Sequence, residues 1–233
     1  PFGIGVGLPG KVSSTTIEWV PNLPELNGLN LHDHASERWN MPIRLQNDGQ
    51  LALLGEQWLG AARGVRSAVM FTLGTGIGGA ILIHGRLWSG FTGTAGSMGW
   101  ITLDCRDGGD PEHGWLERAI SGSALNRRTA QLAVPKDSRQ WIEAARAGDP
   151  EAVALVSEVG RYLGTAVATV ASVIDPEIVV IGGGLSAELD LFLPGIREAL
   201  ARFGSPSARR VPIAAARLLD KAGGLGALRL AFG

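Results

Sequence analysis

The stretch TLGTGIGGAILIHGRL, from Thr72 to Leu87, constrains the fold more than any other. Gly74, Gly76 and Gly79 spell G-x-G-x-x-G, the spacing of a dinucleotide-binding turn. Such a turn needs a strand before it and a helix after it. The strand is present: SAVMFTLG, from Ser67 to Gly74, is apolar and rich in strand-forming residues. The helix is not. AILIHGRLW is β-branched, and His84-Gly85 sits in it as a turn, so the pattern predicts a second strand entering a hairpin. A strand, a glycine loop and a strand can still hold an anion. Backbone N–H groups converge on it, and glycine lets the chain come close. The stretch therefore reads as a phosphate cradle rather than a dinucleotide site.

The rest of the chain fits an α/β class. The 233 residues suffice for one large domain or two small ones, and 45% hydrophobic against 18% charged residues can bury a substantial core. Glycines fall at the edges of apolar runs, where loops between strands and helices belong. A net charge of −1 with no basic run argues against a nucleic-acid partner. A single cysteine, Cys105, excludes a disulfide framework, and a cytoplasmic setting is expected. The apolar run from Tyr162 to Ile174 is too short for a membrane span and reads as part of a buried helix, so no membrane partner is expected. The chain opens directly on FGIGVGLPG, a central-strand pattern, which suggests that a segment upstream is absent.

Two further places can carry chemistry. In IRLQND, Asp48 falls at the end of an apolar strand, just before the helical pattern GQLALLGEQWLGAARG. Carboxyl ends of strands in open α/β sheets are where ligands bind. A carboxylate there can act as a general base on a substrate hydroxyl, with Asn47 hydrogen-bonding a sugar. Equally, Asp48 can simply cap the next helix. In VVIGGGLS, a strand runs into Gly182, Gly183 and Gly184, which would let a base or ribose lie against the backbone, and a helix follows. That helix, LDLFLPGIREALARFG, is expected to be interrupted near Pro194. Trp19, Trp39, Trp58, Trp88 and Trp141 are expected to be packing residues.

Taken in order, the Gly-Pro-Gly strand, the Asn-Asp pair, LGTGIGG and the late IGGG resemble the ROK family (repressors, open reading frames and sugar kinases). The likeness runs from Gly3 to the end of the chain. It implies an actin-like ATPase (ribonuclease H-like) α/β fold of two lobes with a cleft, the N-terminal lobe being incomplete here. The smaller lobe would span residues 1–63 and the larger one 64–233, with the last helix packing back toward the first. The resemblance also implies an ATP-dependent kinase acting on a sugar, usually at the C6 hydroxyl, with Mg²⁺, as a homodimer. Asp48 would be the catalytic base. Gly10, Asn22, Asn47, Ser97 and Glu117 would lie on the sugar, and Gly74, Thr75, Gly76, Gly182, Gly183 and Gly184 on the nucleotide.

Three departures bear on this. The family's first phosphate loop, Asp-x-Gly-Gly-Thr, is not in the chain. Its GEIGH reads GSMGW here, so that Ser97 replaces a sugar-binding glutamate and Trp100 a histidine that binds zinc and sugar. Its cysteine-rich zinc loop reads DCRDGGDPEHGWLE, with Trp115 at the last cysteine's place. Cys105 and His113 alone do not make a structural zinc site, and no zinc is expected. The changes fall on the sugar side, so specificity should differ from that of a standard glucokinase. A sugar-sensing transcriptional regulator and a catalytically inactive sugar-binding protein stay open as alternatives. The intact LGTGIGG and Asp48 favour the kinase.

Overall fold

The computed structural model describes residues 3–13, 15–20, 23–129 and 137–232. In chain order the elements are β1 (Ile4–Leu8), β2 (Lys11–Val12), β3 (Ile17–Trp19), α1 (Leu31–Trp39), β4 (Ile43–Asn47), α2 (Asp48–Leu59), β5 (Ala68–Leu73), β6 (Ile77–Ile83), β7 (Arg86–Leu87), α3 (Trp115–Ile120), α4 (Gly122–Thr129), α5 (Ser138–Arg146), α6 (Pro150–Ile174), β8 (Ile178–Gly182), α7 (Leu189–Phe203), β9 (Ile213–Ala215) and α8 (Ala222–Phe232). One sheet orders its strands β7-β6-β5-β8-β9, and β1 pairs with β4 in a second. The hairpin predicted after the glycine loop is present: β6 pairs antiparallel with β7, and His84 and Gly85 both take positive φ, as a two-residue turn requires.

Contacts divide the chain into two compact units. The first holds Pro1–Met70, Gly79–Gly96 and Ala216–Gly233. Here β1 runs parallel to β4, with Ile4 opposite Ile43 and Leu8 opposite Asn47. Ile17, Val20, Ile43 and Leu45 form a core with Ala35 of α1. The hairpin of β2 and β3 was not foreseen in the sequence, where FGIGVGLPGKV reads as one strand running into a Pro9-Gly10 turn. Asn30 caps α1 by accepting from the His32 amide at 3.1 Å. Along α2, Gly55 lies against Ala222 and Leu51 against Gly226, so α2 and α8 pack backbone to backbone. That packing draws α8 into this unit, and the contact grouping places Gly79–Gly96 there as well. The contact grouping is therefore discontinuous, where the sequence reading drew one boundary after residue 63.

The second unit holds Phe71–Gly78 and Ser97–Ala215. Its spine is α6, capped by Asp149, whose carboxylate accepts from the Ala152 amide at 3.0 Å with Pro150 in the first helical position. The helix ends at Asp175, in the left-handed region at φ 51°. Its Leu163, Ala166 and Val167 are fully buried, and α6 packs along α7. It is long and apolar enough to cross a membrane by length and composition, yet it serves here as a core helix. The expected interruption at Pro194 does not occur: α7 runs unbroken from Leu189 to Phe203. Pro194 removes one N–H bond and crowds the carbonyl of Asp190, and the remaining bonds of the helix carry it through that point.

The tryptophans also divide. Trp141 is buried and Trp58 meets Phe232 edge-on at 6.5 Å. Trp19, Trp39 and Trp88 are more than half exposed, contrary to the packing role expected of them.

Candidate functional site

Two glycine sites far apart in sequence meet in the second unit. Gly183 has φ +82°, a region that disfavours side chains, and a Cβ there would lie 2.6 Å from the carbonyl carbon of Leu73. The end of β8 is thus pressed against the end of β5, next to Gly74. The glycine turn itself is fixed by backbone bonds. Gly74 N–H donates to the Gly76 carbonyl at 3.0 Å, Gly122 N–H to the Gly74 carbonyl at 2.8 Å, and Ser123 N–H to the Thr75 carbonyl at 3.2 Å. The start of α4 is therefore bonded to the turn.

These parts line one cavity of about 550 Å³. Gly74, Thr75, Gly122 and Ser123 form one wall, Gly184 and Leu185 another, and Asn126, Arg139 and Ile142 a third. Nothing lies within 4 Å of where a Cβ would stand on Gly74 or Gly184, so both glycines leave open space on that face. The first turn of α4 brings the positive end of its helix dipole to this cavity, which favours an anion, while its leading N–H groups are bonded to the glycine turn and to Ser121. Sequence reasoning missed α4. The signal was Ser121-Gly122-Ser123: the Ser121 hydroxyl caps the helix by accepting from the Ala124 amide at 3.1 Å. It also missed Arg139 on α5 and Glu188, which closes the cavity while paired to Arg146.

Glu117, expected on the sugar, is bonded to the glycine turn. Its Oε2 accepts from the Ile77 amide at 2.8 Å, and a Cβ on Gly76 would stand 2.5 Å from the same oxygen. Ser97 precedes a 3₁₀ turn at Met98–Trp100, which packs on α3 beside Glu117. Trp100 is 54% exposed there.

The segment in the place of the zinc loop is held by ion pairs. Arg106 donates to both carboxylate oxygens of Asp104 at 2.9 Å, and Arg118 reaches Asp107 at 2.5 Å. The Arg106 side chain pulls the Asp104 pKa down to about 2, and Arg118 lowers that of Asp107. Asp110 is lowered by accepting from the amides of Glu112 and His113. Trp115 packs edge-on against Tyr162 at 5.3 Å. Among the described residues no three His, Cys, Asp or Glu side chains are grouped to hold a metal ion.

In the first unit, β4 delivers Asn47 and Asp48 to the start of α2. The cap of α2 is Asn47: its Oδ1 accepts from the amides of Gly49 at 3.0 Å and Gln50 at 3.2 Å. Its Nδ2 donates to the Gly10 carbonyl at 3.1 Å. An amide carries two N–H donors, so Asn47 keeps capacity for one bond more. Because Asn47 caps, Asp48 is the first helical residue and stands exposed. Asn22 lies outside the described residues.

Comparison with known proteins bears on the family and the fold. The ROK family model matches residues 2–233. A glucokinase of Halalkalibacterium halodurans is 33% identical over 226 residues, covering 88% of this chain and 68% of that protein. The ROK hexokinase of Thermus thermophilus superposes with a TM-score of 0.85 at 33% identity, over 99% of this chain and 78% of that one. A ROK family glucokinase from Streptomyces griseus, solved in complex with glucose and AMPPNP, superposes with a TM-score of 0.79 at 31% identity, over 98% and 81%. The chain belongs to the ROK family and has its actin-like ATPase fold.

Proposed function

We infer that this chain is an ATP-dependent sugar kinase that phosphorylates a hexose or N-acetylhexosamine at its C6 hydroxyl. The observation that carries the reading is the meeting of the glycine turn, the first turn of α4 and Gly184-Leu185 around one cavity. Its volume lies in the range of small-molecule sites, and its glycine faces and helix N-terminus suit a polyphosphate. The complex of the Streptomyces griseus glucokinase with glucose and an ATP analogue supports the same pairing of ligands.

Asp48 serves as general base. Its carboxylate takes the proton of the acceptor hydroxyl, and the oxygen bonds to the γ-phosphorus as the bond to the bridging oxygen breaks, leaving ADP. Asn47 and Gly10 belong to the sugar's surroundings, as do Ser97 and Trp100, whose indole offers an apolar face. Mg²⁺ would enter on the phosphates of ATP, as is usual where phosphoryl groups are transferred. Bound there, it neutralises phosphate charge.

The test is ADP release from Mg-ATP by the full-length protein with glucose, mannose, fructose, allose, N-acetylglucosamine or N-acetylmannosamine. One or more sugars should give turnover that Asp48→Asn lowers by about 10²–10⁴-fold. Sugar binding without turnover would reject the kinase in favour of a sugar-binding protein. Turnover unchanged in Asp48→Asn would reject Asp48 as the base.

A further inference from the structure

Gln50, the third residue of α2, is 2% exposed, and its amide is fully used. Its Nε2 donates to the carbonyls of Gly93 at 3.3 Å and Ala95 at 3.1 Å. Its Oε1 accepts from the Ser89 hydroxyl at 2.9 Å and from the Gln46 side-chain amide. Gln46 also donates to the Ser89 hydroxyl at 2.9 Å, so three side chains form a closed ring of bonds. Two donors meet two carbonyls and two lone pairs meet two donors. No other side chain of this size would satisfy both ends.

What the amide holds is loop 89–96. The loop closes on itself, with the Ala95 amide donating to the Ser89 carbonyl at 3.0 Å. It leans on two neighbours. A Cβ on Gly93 would stand 3.1 Å from the Val12 carbonyl, and one on Gly96 would stand 2.8 Å from the Gly79 carbonyl. At the other end, the Gln50 amide N–H is one of the two that Asn47 caps, and Asn47 in turn holds Gly10. Gln50 thus joins the Asn47-Asp48 corner to a loop that lies against Val12 and leads directly into Ser97.

Resting on the sugar-kinase reading above, we propose that Gln50 is a positioning residue for the acceptor sugar: it fixes loop 89–96 against the first turn of α2. It acts through the loop and the helix turn and not by touching the reacting atoms. Losing it frees the loop, so sugar affinity falls while the nucleotide cavity, built from residues of the other unit, keeps its shape.

The experiment compares wild type, Gln50→Leu, Gln50→Glu and Ser89→Ala in the full-length protein. The acceptor is whichever sugar of the panel above has the highest kcat/KM. Gln50→Leu should raise the sugar KM by about tenfold or more, the scale of losing a buried hydrogen bond, while the Mg-ATP KM stays within about twofold. Ser89→Ala should raise it less. In Gln50→Glu a carboxylate would face the Gly93 and Ala95 carbonyls, so its sugar affinity should be poor at pH 8. It should recover toward wild type as the pH falls to about 6, where a buried carboxyl takes up its proton and can donate. Direct sugar binding, followed by tryptophan fluorescence, should show the same pattern. A purely structural Gln50 would lower the urea midpoint in all three variants with sugar KM unchanged and no recovery in Gln50→Glu, and that result overturns the proposal. If the wild type neither binds nor turns over any sugar of the panel, the sugar-kinase reading fails and this proposal falls with it.

Discussion

Glu117 separates two readings of one carboxylate. Position in sequence assigns it to the sugar, yet its Oε2 is bonded at 2.8 Å to the amide of Ile77, a residue only 7% exposed. A charged acceptor on a buried amide contributes about 1.5–3 kcal/mol. That bond holds the second half of the glycine turn, because Ile77 directly follows Gly76. Glu117→Ala removes the acceptor and leaves the Ile77 amide unpaired, so kcat/KM for Mg-ATP should fall by about 10–150-fold. Glu117→Gln keeps a carbonyl oxygen at the same reach and should retain kcat/KM for Mg-ATP within about tenfold. Gly76→Ala should resemble Glu117→Ala, since the new methyl would stand 2.5 Å from Oε2 and push the carboxylate off the amide. The assay is steady-state ADP release with the sugar and Mg-ATP varied in turn. If Glu117→Ala leaves the Mg-ATP parameters at wild-type values and raises only the sugar KM, the carboxylate acts on the sugar and the bracing argument is refuted.

Gly183→Ala combines a backbone at φ +82° with a methyl driven into the Leu73 backbone, so ATP-analogue binding by calorimetry should be lost, with thermal stability lowered as well. Glu56 is fully buried and accepts from the amides of Ala61 at 2.6 Å and Leu218 at 2.8 Å. Glu56→Ala leaves two amides unpaired, and urea unfolding should show a loss of about 2–5 kcal/mol with the m-value unchanged. In loop 104–113 the Asp104 pKa of about 2 lies below its unpaired value near 3.8, so the pair with Arg106 stabilises the loop above the higher value. That contribution is lost as the pH falls through the lower one, and limited proteolysis of the loop should accelerate only below about pH 4, whereas Arg106→Ala should be susceptible at neutral pH.

What could be read from the sequence, and what could not, follows one physical division. The β6–β7 hairpin was legible because His84-Gly85 is turn chemistry written in adjacent residues, and its two positive φ values exclude the dinucleotide reading by local geometry alone. The cap of α6 was legible for the same reason, Asp149 and Pro150 being neighbours that act on each other. Asn47 and Asp48 sit side by side and both residue types can cap, yet the sequence reading offered that role to Asp48 alone, and the structure gives it to Asn47. Backbone path decides it: the chain bends one residue earlier, Asn47 takes the two amides, and the exposed carboxylate is left to Asp48. The remaining assignments depend on residues separated by dozens of positions. Gly183 against Leu73, Gly122 against Gly74, and Glu117 against Ile77 have no periodic trace, since each contact ends on a backbone group that every residue carries. Composition sees only that these positions are glycine or glutamate. The packing that turns them into one cavity is a property of the folded sheet. The same holds for Gln50, a polar residue in an apolar helix pattern. Its place in that pattern is the only trace that sequence offers, and the partners that make its burial tolerable come from a loop about forty residues away.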